Sequence, residues 1–269
     1  MIGNVKYLIG FILVFFSCNK GEQIPNVPII SHAGEGIFNP ARIFHENSLE
    51  ALNYALQFEE LYGVEMDIQM SKDGTIWLFH DEFLEESTFG KGAICSLSDN
   101  ELEGIRYQTL NRERLLKLEE INFENFKHEK QIYLDIKLFN SCVNNEEYLD
   151  LFLTELAGFG QKLPLNFTLN FIVNNLEFAQ TMHNHGFKNL FSDASSFESA
   201  KERMALSFYE GFFLRHTAIS AKELKILQED NVKVIIFGMR SVSSIRKSLQ
   251  KEPYALMPED FKTALIEIK

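Results

Sequence analysis

Acidic side chains and a histidine come close together around residue 70 of the sequence. Glu65 and Asp67 alternate with apolar residues between 64 and 70, so both carboxylates lie on one face of a predicted strand. A turn signal and a second apolar run follow, and they predict a hairpin that returns His80 towards the two acids. Two carboxylates and an imidazole at one point indicate a metal site with an acid/base residue. A surface hairpin with ordinary charges is the alternative interpretation of this segment taken alone.

A second pair of charged residues with the same spacing occurs further along the chain. Asp135 and Lys137 lie at the end of the apolar segment 131–138, and His32 ends the first apolar segment. Three carboxylates without a partner repel one another and take up protons, whereas a hard cation that prefers oxygen ligands relieves the repulsion. The three acids together therefore predict a site for one divalent cation, Ca²⁺ or Mg²⁺.

The elements that must position these residues are strands alternating with helices. Eight strand–helix units in this length predict a parallel, closed (β/α)8 TIM barrel, with a small insertion after the second strand. Chemistry in this fold takes place at the carboxyl ends of the strands, which we call the barrel mouth. An open doubly wound sheet is the alternative, but no glycine fingerprint for a nucleotide follows the first strand. The predicted barrel strands are 27–31, 64–70, 131–138, 166–173, 189–192, 207–214, 232–237 and 254–257, and the predicted helices include 117–126, 146–159, 176–185, 197–204, 221–230, 242–250 and 261–268.

The charge balance and the cysteines limit the possible partners. The 269-residue chain carries a net charge of −12 and no basic stripe, so we expect no nucleic-acid partner. A bound metal ion would still attract an anionic substrate to such an acidic protein. Cys95 and Cys142 are too few for a disulfide framework, and we predict that both are free, buried thiols.

The N-terminus has the features of an exported protein. One lysine precedes a short apolar run that is typical of a signal peptide, and Cys18 follows it directly. This arrangement resembles the processing site of bacterial lipoproteins, in which the cysteine becomes acylated. We therefore predict a signal peptide at 1–17, lipidation of Cys18, a tether at 18–27 and a barrel domain at 28–269. The protein would then be anchored by lipid in the bacterial cell envelope, at the outer membrane or the periplasmic face.

Six motifs in one order resemble those of the glycerophosphodiester phosphodiesterase family. The usual forms in that family are His-Arg-Gly, Pro-Glu-Asn-Thr, Glu-x-Asp, Thr-Lys-Asp-Gly, His-Asp and Glu-x-Lys. The resemblance is dense from residue 30 to 102 and continues to Lys137, and beyond that point it is architectural only. The segments that carry it are His32-Ala-Gly, Glu46-Asn47-Ser48, Glu65-Met-Asp67, Ser71-Lys-Asp-Gly74, His80-Asp81 and Asp135-Ile-Lys137.

The resemblance implies a metal-dependent enzyme that hydrolyses a glycerophosphodiester to glycerol 3-phosphate and an alcohol. His32 and His80 would form the acid/base pair, and we assign His32 as base and His80 as acid. In the family, a hydroxyl of the glycerol attacks phosphorus first, and water then opens the cyclic phosphate. The resemblance further implies that Glu65, Asp67 and Asp135 bind the metal, and that Lys137, Glu46 and Asn47 bind the substrate.

The sequence departs from the family pattern at places that bear on the substrate. Ala33 stands where the family has an arginine that grips phosphate, so one charge-assisted contact is missing. Arg42, which we add to the substrate-binding set, and Arg215 are the two candidates to replace it. Asp135 replaces the usual glutamate and has a shorter reach. The last third of the chain lacks the tryptophan on the seventh strand and the closing Thr-Asp pattern, and Phe237 and Pro258-Glu-Asp260 stand there instead.

Two other functions fit the same residues. One is a phospholipase C-like or sphingomyelinase D-like enzyme of the same superfamily, which acts on a phospholipid head group. The other is a non-catalytic binding lipoprotein that retains the barrel. The presence of both His32 and His80 argues against the second, because a binding module needs no acid/base pair.

Overall fold

Eight parallel strands form a barrel in this computed structural model, which describes residues 24–126, 128–139, 142 and 146–269. Each of these strands pairs with the next barrel strand along the chain. An isolated parallel bridge between Ile29 and Leu256 brings the last strand beside the first. The predicted TIM barrel is therefore confirmed. The strands are β1 (Ile30–Ser31), β2 (Gly63–Met70), β3 (Ile76–Leu78), β4 (Leu116–Lys117), β5 (Lys130–Ile136), β6 (Phe167–Ile172), β7 (Leu190–Ala194), β8 (Tyr209–Arg215), β9 (Lys233–Phe237) and β10 (Ala255–Met257).

Most of the helices begin at a residue whose side chain caps them. Ser48 Oγ accepts a hydrogen bond from Ala51 N at the start of the first helix, and Asn175 Oδ1 accepts one from Phe178 N at the start of the fourth. No helix in the described part of the chain is both long and apolar enough to cross a membrane. The helices are α1 (Leu49–Leu56), α2 (Asp99–Glu103), α3 (Glu146–Lys162), α4 (Leu176–Asn184), α5 (Phe197–Met204), α6 (Ala221–Glu229), α7 (Val242–Leu249) and α8 (Phe261–Glu267).

The insertion after the second barrel strand forms a small antiparallel extension of the sheet. Strand β3 pairs antiparallel with β2, and β4 pairs antiparallel with β3 through Trp77 and Lys117. The helix predicted at 117–126 is wrong: two 3-10 turns, Leu118–Glu120 and Phe123–Asn125, occupy this segment. Pairing of Lys117 with the β3 edge fixes an extended backbone there, so tertiary contact overrides the local propensity. The insertion has its own apolar core, which includes Trp77, Phe79, Leu84, Ile94, Leu102, Tyr107 and Leu115.

A disulfide joins the insertion to the segment that follows β5. Cys95 and Cys142 are bonded, with Cα atoms 5.7 Å apart, so the prediction of two free thiols is wrong. The sequence hides this contact because the cysteines are 47 residues apart and meet only through the pairing of β2 with both β3 and β5. Cys18 and the predicted signal peptide lie outside the described residues.

The side chains of the barrel strands point alternately into two apolar layers, one outside the barrel and one inside it. Residues such as Val64, Met66 and Ile68 of β2 pack outwards against the helices. Side chains of the opposite parity fill the barrel interior, and aromatic rings of Tyr133 and Phe191 meet edge to face there at 5.6 Å. This interior layer consists of Ile30, Tyr133, Ile172, Phe191, Phe213, Ile235, Ala255 and Met257. It closes the barrel below the mouth.

Candidate active site

A cavity of about 190 Å³ lies at the barrel mouth, directly above the interior layer. Because successive side chains on a strand alternate in direction, a residue two positions beyond an interior side chain points into the mouth. Tyr133 is followed in this way by Asp135, and Phe213 by Arg215. The polar residues that line the cavity are His32, Glu65, Asp67, His80, Asp135, Lys137, Asp193, Arg215 and Glu259.

Three buried carboxylates meet on one side of this cavity. Oxygen atoms of Glu65, Asp67 and Asp135 all lie within 4.8 Å of one another. Parallel pairing of β2 and β5 sets Asp67 directly beside Asp135. Burial, with the added repulsion of Asp67 and Asp135, raises the pKa of Glu65 well above its ordinary value. Burial also raises the pKa of Asp135, to about 6, against the opposing attraction of Lys137.

This carboxylate trio has the composition of a divalent-cation site. Oδ1 of Asp135 is buried and has no hydrogen-bond partner among the described residues, so it is an unused acceptor. All three ligands are carboxylates, which suits a hard cation such as Ca²⁺ or Mg²⁺. A cation here would remove the repulsion that raises the pKa of Glu65.

Lys137 supplies positive charge beside the trio. Its Nζ atom lies 2.9 Å from Asp67 Oδ1 and 2.6 Å from Asp135 Oδ2. Burial alone would lower the pKa of Lys137, but Asp135, Asp67 and Glu65 outweigh burial and raise it, so the ammonium stays charged. Burial pushes the pKa of Asp67 upwards, and Lys137 and His80 reverse this and hold it at about 2.

Neighbouring groups fix the orientation of the carboxylates. Asn47 donates from Nδ2 to Asp67 Oδ2 at 2.7 Å and accepts from Asp67 N at 3.0 Å. This places Asn47 behind Asp67 rather than in the cavity lining. The backbone N–H of Ala33 donates to Glu65 Oε2 at 3.0 Å. Ala33 is fully buried, so the position of the missing family arginine contributes a backbone donor to the site and no cation.

Each cavity histidine has a carboxylate partner. His80 Nδ1 lies 2.9 Å from Asp81 Oδ1, and His32 Nδ1 lies 3.4 Å from Glu259 Oε1. The hydrogen bond with Asp81 raises the pKa of His80, although burial opposes it, and Asp67 raises it further. Glu259 is held in turn by the backbone N–H of Phe38, which donates to Oε2 at 2.9 Å. The hydrogen bond with Asp81 orients the His80 imidazole, whereas His32 Nδ1 lies beside Glu259 without a hydrogen-bond partner among the described residues.

The two arginine candidates lie in different surroundings. Arg42 forms an ion pair with Glu46 and donates to the carbonyl oxygen of Ile37 at 2.7 Å, and it does not line the cavity. Burial raises the pKa of Glu46 to about 7, and Arg42 opposes this rise. Arg215 lines the cavity and stacks on the ring of Phe237 at 5.3 Å. No carboxylate among the described residues lies within ion-pairing distance of Arg215, so its charge faces the cavity unpaired.

Two polar residues of the cavity lining, Asp193 and Glu259, are not identified from the sequence as ligands or catalysts. Asp193 accepts from Asn174 Nδ2 at 3.1 Å, and burial raises its pKa. Asp193 and Glu259 each follow an interior side chain, Phe191 and Met257, by two positions. This two-residue spacing is the feature of the sequence that could predict their position. It can be used only when the strand ends are known to within one residue.

Several known proteins are similar to this chain in sequence. The family model for the glycerophosphoryl diester phosphodiesterase family matches residues 32–257. Glycerophosphodiester phosphodiesterase 1 of Mus musculus is 30% identical over 118 residues, which cover 41% of this chain and 34% of the relative. The same enzyme of Homo sapiens is 29% identical over 153 residues, which cover 50% of this chain and 44% of the relative. The chain thus matches less than half the length of these curated relatives.

Solved structures share the fold across nearly the whole chain. A phosphodiesterase of Oleispira antarctica, solved in complex with the product sn-glycerol-3-phosphate, superposes with a TM-score of 0.74 at 21% identity and covers 90% of this chain and 96% of its own. A glycerophosphodiester phosphodiesterase of Thermotoga maritima superposes with a TM-score of 0.69 at 20% identity and covers 91% of this chain and 99% of its own.

Proposed function

The chain belongs to the glycerophosphoryl diester phosphodiesterase family, and on that premise we propose that it hydrolyses glycerophosphodiesters to glycerol 3-phosphate and an alcohol. The observation that carries the proposal is the cavity itself. Two imidazoles, each beside a carboxylate partner, and three buried carboxylates line one space at the barrel mouth. A binding module needs no such acid/base pair, whereas displacement at phosphorus needs one group to accept a proton and one to donate it.

Glu65, Asp67 and Asp135 would hold one divalent cation. When bound, this ion supplies positive charge that stabilises the charge developing on the phosphoryl oxygens. Lys137 and Arg215 add two further cations on the cavity wall. Arg215 is our candidate for the contact that the family arginine makes, because Arg42 is engaged by Glu46 outside the cavity.

The two histidines would divide the proton transfers between them. His32 accepts the proton of a glycerol hydroxyl as its oxygen attacks phosphorus, and Glu259 stabilises the resulting imidazolium. The bond from phosphorus to the alcohol breaks, and His80 donates a proton to the departing alkoxide. A raised pKa suits His80 to begin this step protonated.

Hydrolysis of the cyclic phosphate would reverse these roles. His80, now neutral, accepts a proton from water as the water oxygen attacks phosphorus. The ring P–O bond breaks, and His32 returns its proton to the glycerol oxygen. The product is glycerol 3-phosphate, and both histidines end in their starting protonation states.

Hydrolysis of glycerophosphodiesters in the presence and absence of EDTA tests the proposal. We expect release of glycerol 3-phosphate that EDTA abolishes and that added Ca²⁺ or Mg²⁺ restores. A cyclic glycerophosphate should be hydrolysed by the same preparation. A folded, metal-loaded protein that turns over no phosphodiester would support the binding lipoprotein instead.

We also propose that the protein is exported and lipid-anchored at Cys18. The Cys95–Cys142 disulfide supports export, because disulfides persist in oxidising compartments and are rare in reducing ones. Labelling cells with a fatty-acid probe tests the anchor. The wild type should take up the label and remain in the membrane fraction, whereas Cys18→Ser should do neither. Label retained by Cys18→Ser would contradict the proposal.

A phospholipase is the second candidate, and one feature favours it. Phe38, on the cavity wall, is 53% exposed, and Ile43 in the same loop is 58% exposed. Exposed apolar side chains beside a cavity mark a surface that contacts lipid or protein. Assays on phospholipid vesicles and on the matching deacylated diesters separate the two candidates. We expect the deacylated diesters to be the better substrates.

A further inference from the structure

A second cavity opens beside the catalytic one, on the side of the later barrel strands. Its volume is about 490 Å³, compared with about 190 Å³ for the catalytic cavity. Asp193, Arg215 and Phe237 line both cavities, so the two spaces adjoin at these three residues. The residues found only in the second cavity include Asn174, Ser195, Ser199 and Arg203.

The size of the catalytic cavity indicates that a diester extends beyond it. Cavities that enclose a small-molecule ligand usually measure roughly 300–1,000 Å³. The catalytic cavity is smaller, and its polar wall is committed to the carboxylate trio, Lys137 and the two histidines. The glycerophosphoryl half of a diester must lie there, next to the acid/base pair. The alcohol on the far side of phosphorus then needs a separate space, and the second cavity provides it at the Arg215 boundary.

The wall of the second cavity carries both hydrogen-bond donors and hydrogen-bond acceptors. The guanidinium of Arg203 donates to Ser192 Oγ, which holds it beside the middle of β7. Asp193 is fixed by Asn174, which donates from Nδ2 at 3.1 Å and accepts from Asp193 N at 2.8 Å. Hydroxyl groups of an alcohol both donate and accept, so they match a wall of guanidinium, amide, hydroxyl and carboxylate groups.

The same wall is unfavourable for a quaternary ammonium group. Such cations are recognised by open aromatic faces. The ring of Phe237 is the aromatic face shared by the two cavities, and the Arg215 guanidinium already lies over it, 5.3 Å from its centre. Two arginines and one carboxylate also leave the second cavity with an excess of positive charge, which repels a further cation.

We propose that the second cavity is the head-group subsite, and that it selects diesters whose alcohol is polyhydroxylated, such as glycerol or inositol, over those of choline. This inference rests on the proposed phosphodiesterase function. Arg203 is its distinguishing residue, because it lines the second cavity and not the catalytic one.

The test measures kcat/KM of the metal-loaded enzyme for glycerophosphoglycerol, glycerophosphoinositol and glycerophosphocholine. We expect the two polyhydroxylated substrates to exceed glycerophosphocholine by about tenfold or more, since hydrogen bonds to charged groups are stronger than those between neutral groups. Arg203→Gln should reduce this preference about tenfold, mainly by raising KM for the two polyhydroxylated substrates. Lys201→Gln is the matched control: it removes a positive charge from the same helix outside both cavities and should preserve the preference.

A second variant covers the case in which Arg203→Gln fails to fold. Ser195 is exposed and lies just before the residue that caps α5, so Ser195→Trp should fill the cavity without disturbing the helix. It should lower kcat/KM for glycerophosphoinositol much more than for a glycerophosphomethyl ester. Equal kcat/KM for all head groups in the wild type, or an unchanged preference in both variants, would overturn the subsite while leaving the phosphodiesterase intact. Absence of turnover on every diester would instead overturn the proposed function itself.

Discussion

The two sides of the barrel mouth differ in how their residues are arranged. On the side of β1, β2 and β5, charged side chains come in pairs that are buried and bonded to one another, such as Asp67 with Lys137. On the side of β7 to β10, single polar residues alternate with aromatic ones, and Arg215 faces the cavity without a carboxylate partner among the described residues. The first side is built to hold charge in fixed positions. Under our two proposals, the first side would carry out the chemistry and the second would select the substrate.

The largest expected effect comes from breaking the carboxylate trio. Glu65→Gln removes a ligand, and we expect metal binding measured by calorimetry to be lost and activity to fall on the order of 10⁴-fold or more. The stability of the metal-free protein should rise, although metal binding and activity are lost. Burial and two neighbouring acids disfavour the Glu65 carboxylate, so a neutral amide should raise the Tm in EDTA.

A wild-type control in the same buffers completes that test. Added cation should raise the Tm of the wild type, because a ligand that binds only the folded state stabilises it. It should leave the Tm of Glu65→Gln unchanged. A lower Tm of Glu65→Gln in EDTA would mean that Glu65 stabilises the fold. The difference that we describe between the two sides of the barrel mouth would then not hold.

The histidines should have the next largest effect. His32→Ala and His80→Ala should each lose about 10²- to 10⁴-fold in kcat, because each removes one proton-transfer partner. The double variant should lose far less than the product of the two losses, since the pair acts as a unit. Thermal melts should shift little. A large drop in the Tm of His80→Ala with nearly intact activity would make His80 a packing residue.

Arg215 tests the second side of the mouth. Arg215→Gln should lower kcat/KM for all glycerophosphodiesters by about 10- to 100-fold, because a charge-assisted hydrogen bond to phosphate contributes about 1.5–3 kcal/mol. Arg42→Gln is the comparison variant, and we expect it to act through stability, since Arg42 is bonded to Glu46 outside the cavity. If Arg42→Gln raises KM and Arg215→Gln does not, the phosphate contact lies on the first side after all.

The smallest effect concerns the pH dependence of the acid. The pH profile of kcat/KM should be bell-shaped, and its alkaline limb should report loss of the His80 proton. Asp81 raises the pKa of His80 by accepting its hydrogen bond. Asp81→Asn should therefore move the alkaline limb to lower pH, by roughly one pH unit or less, which corresponds to about 1.4 kcal/mol at most. A shift of the acidic limb alone would mean that His80 is the base and His32 the acid.

The sequence predicts the first side of the mouth well because its residues come in pairs within strongly periodic strands. Glu65 with Asp67, and Asp135 with Lys137, reveal their shared face by spacing alone. Asp193 and Glu259 are single acids after apolar segments, a pattern that is also typical of ordinary loops. Their position depends on the register of strands that are distant in sequence, and a one-residue error in a strand end reverses the direction of the side chain.

The disulfide and the segment 117–126 show a second reason why the sequence alone does not predict the whole structure. Both depend on the antiparallel extension formed by β3 and β4, whose partners are set by the sheet rather than by local preference. Cys95 and Cys142 become neighbours only through that extension. The barrel helices, in contrast, carry their own caps and apolar faces, and they were predicted closely, as at α5 and α8.

The aromatic layer inside the barrel also bears on the order of product release. Tyr133, Phe191 and Phe213 pack against one another below the cavity, so the catalytic cavity is closed on that side. If the alcohol occupies the second cavity as we propose, it would lie between glycerol 3-phosphate and the solvent. The alcohol should therefore be the first product released and glycerol 3-phosphate the last. Glycerol 3-phosphate should then inhibit competitively against the diester, whereas the free alcohol should inhibit noncompetitively.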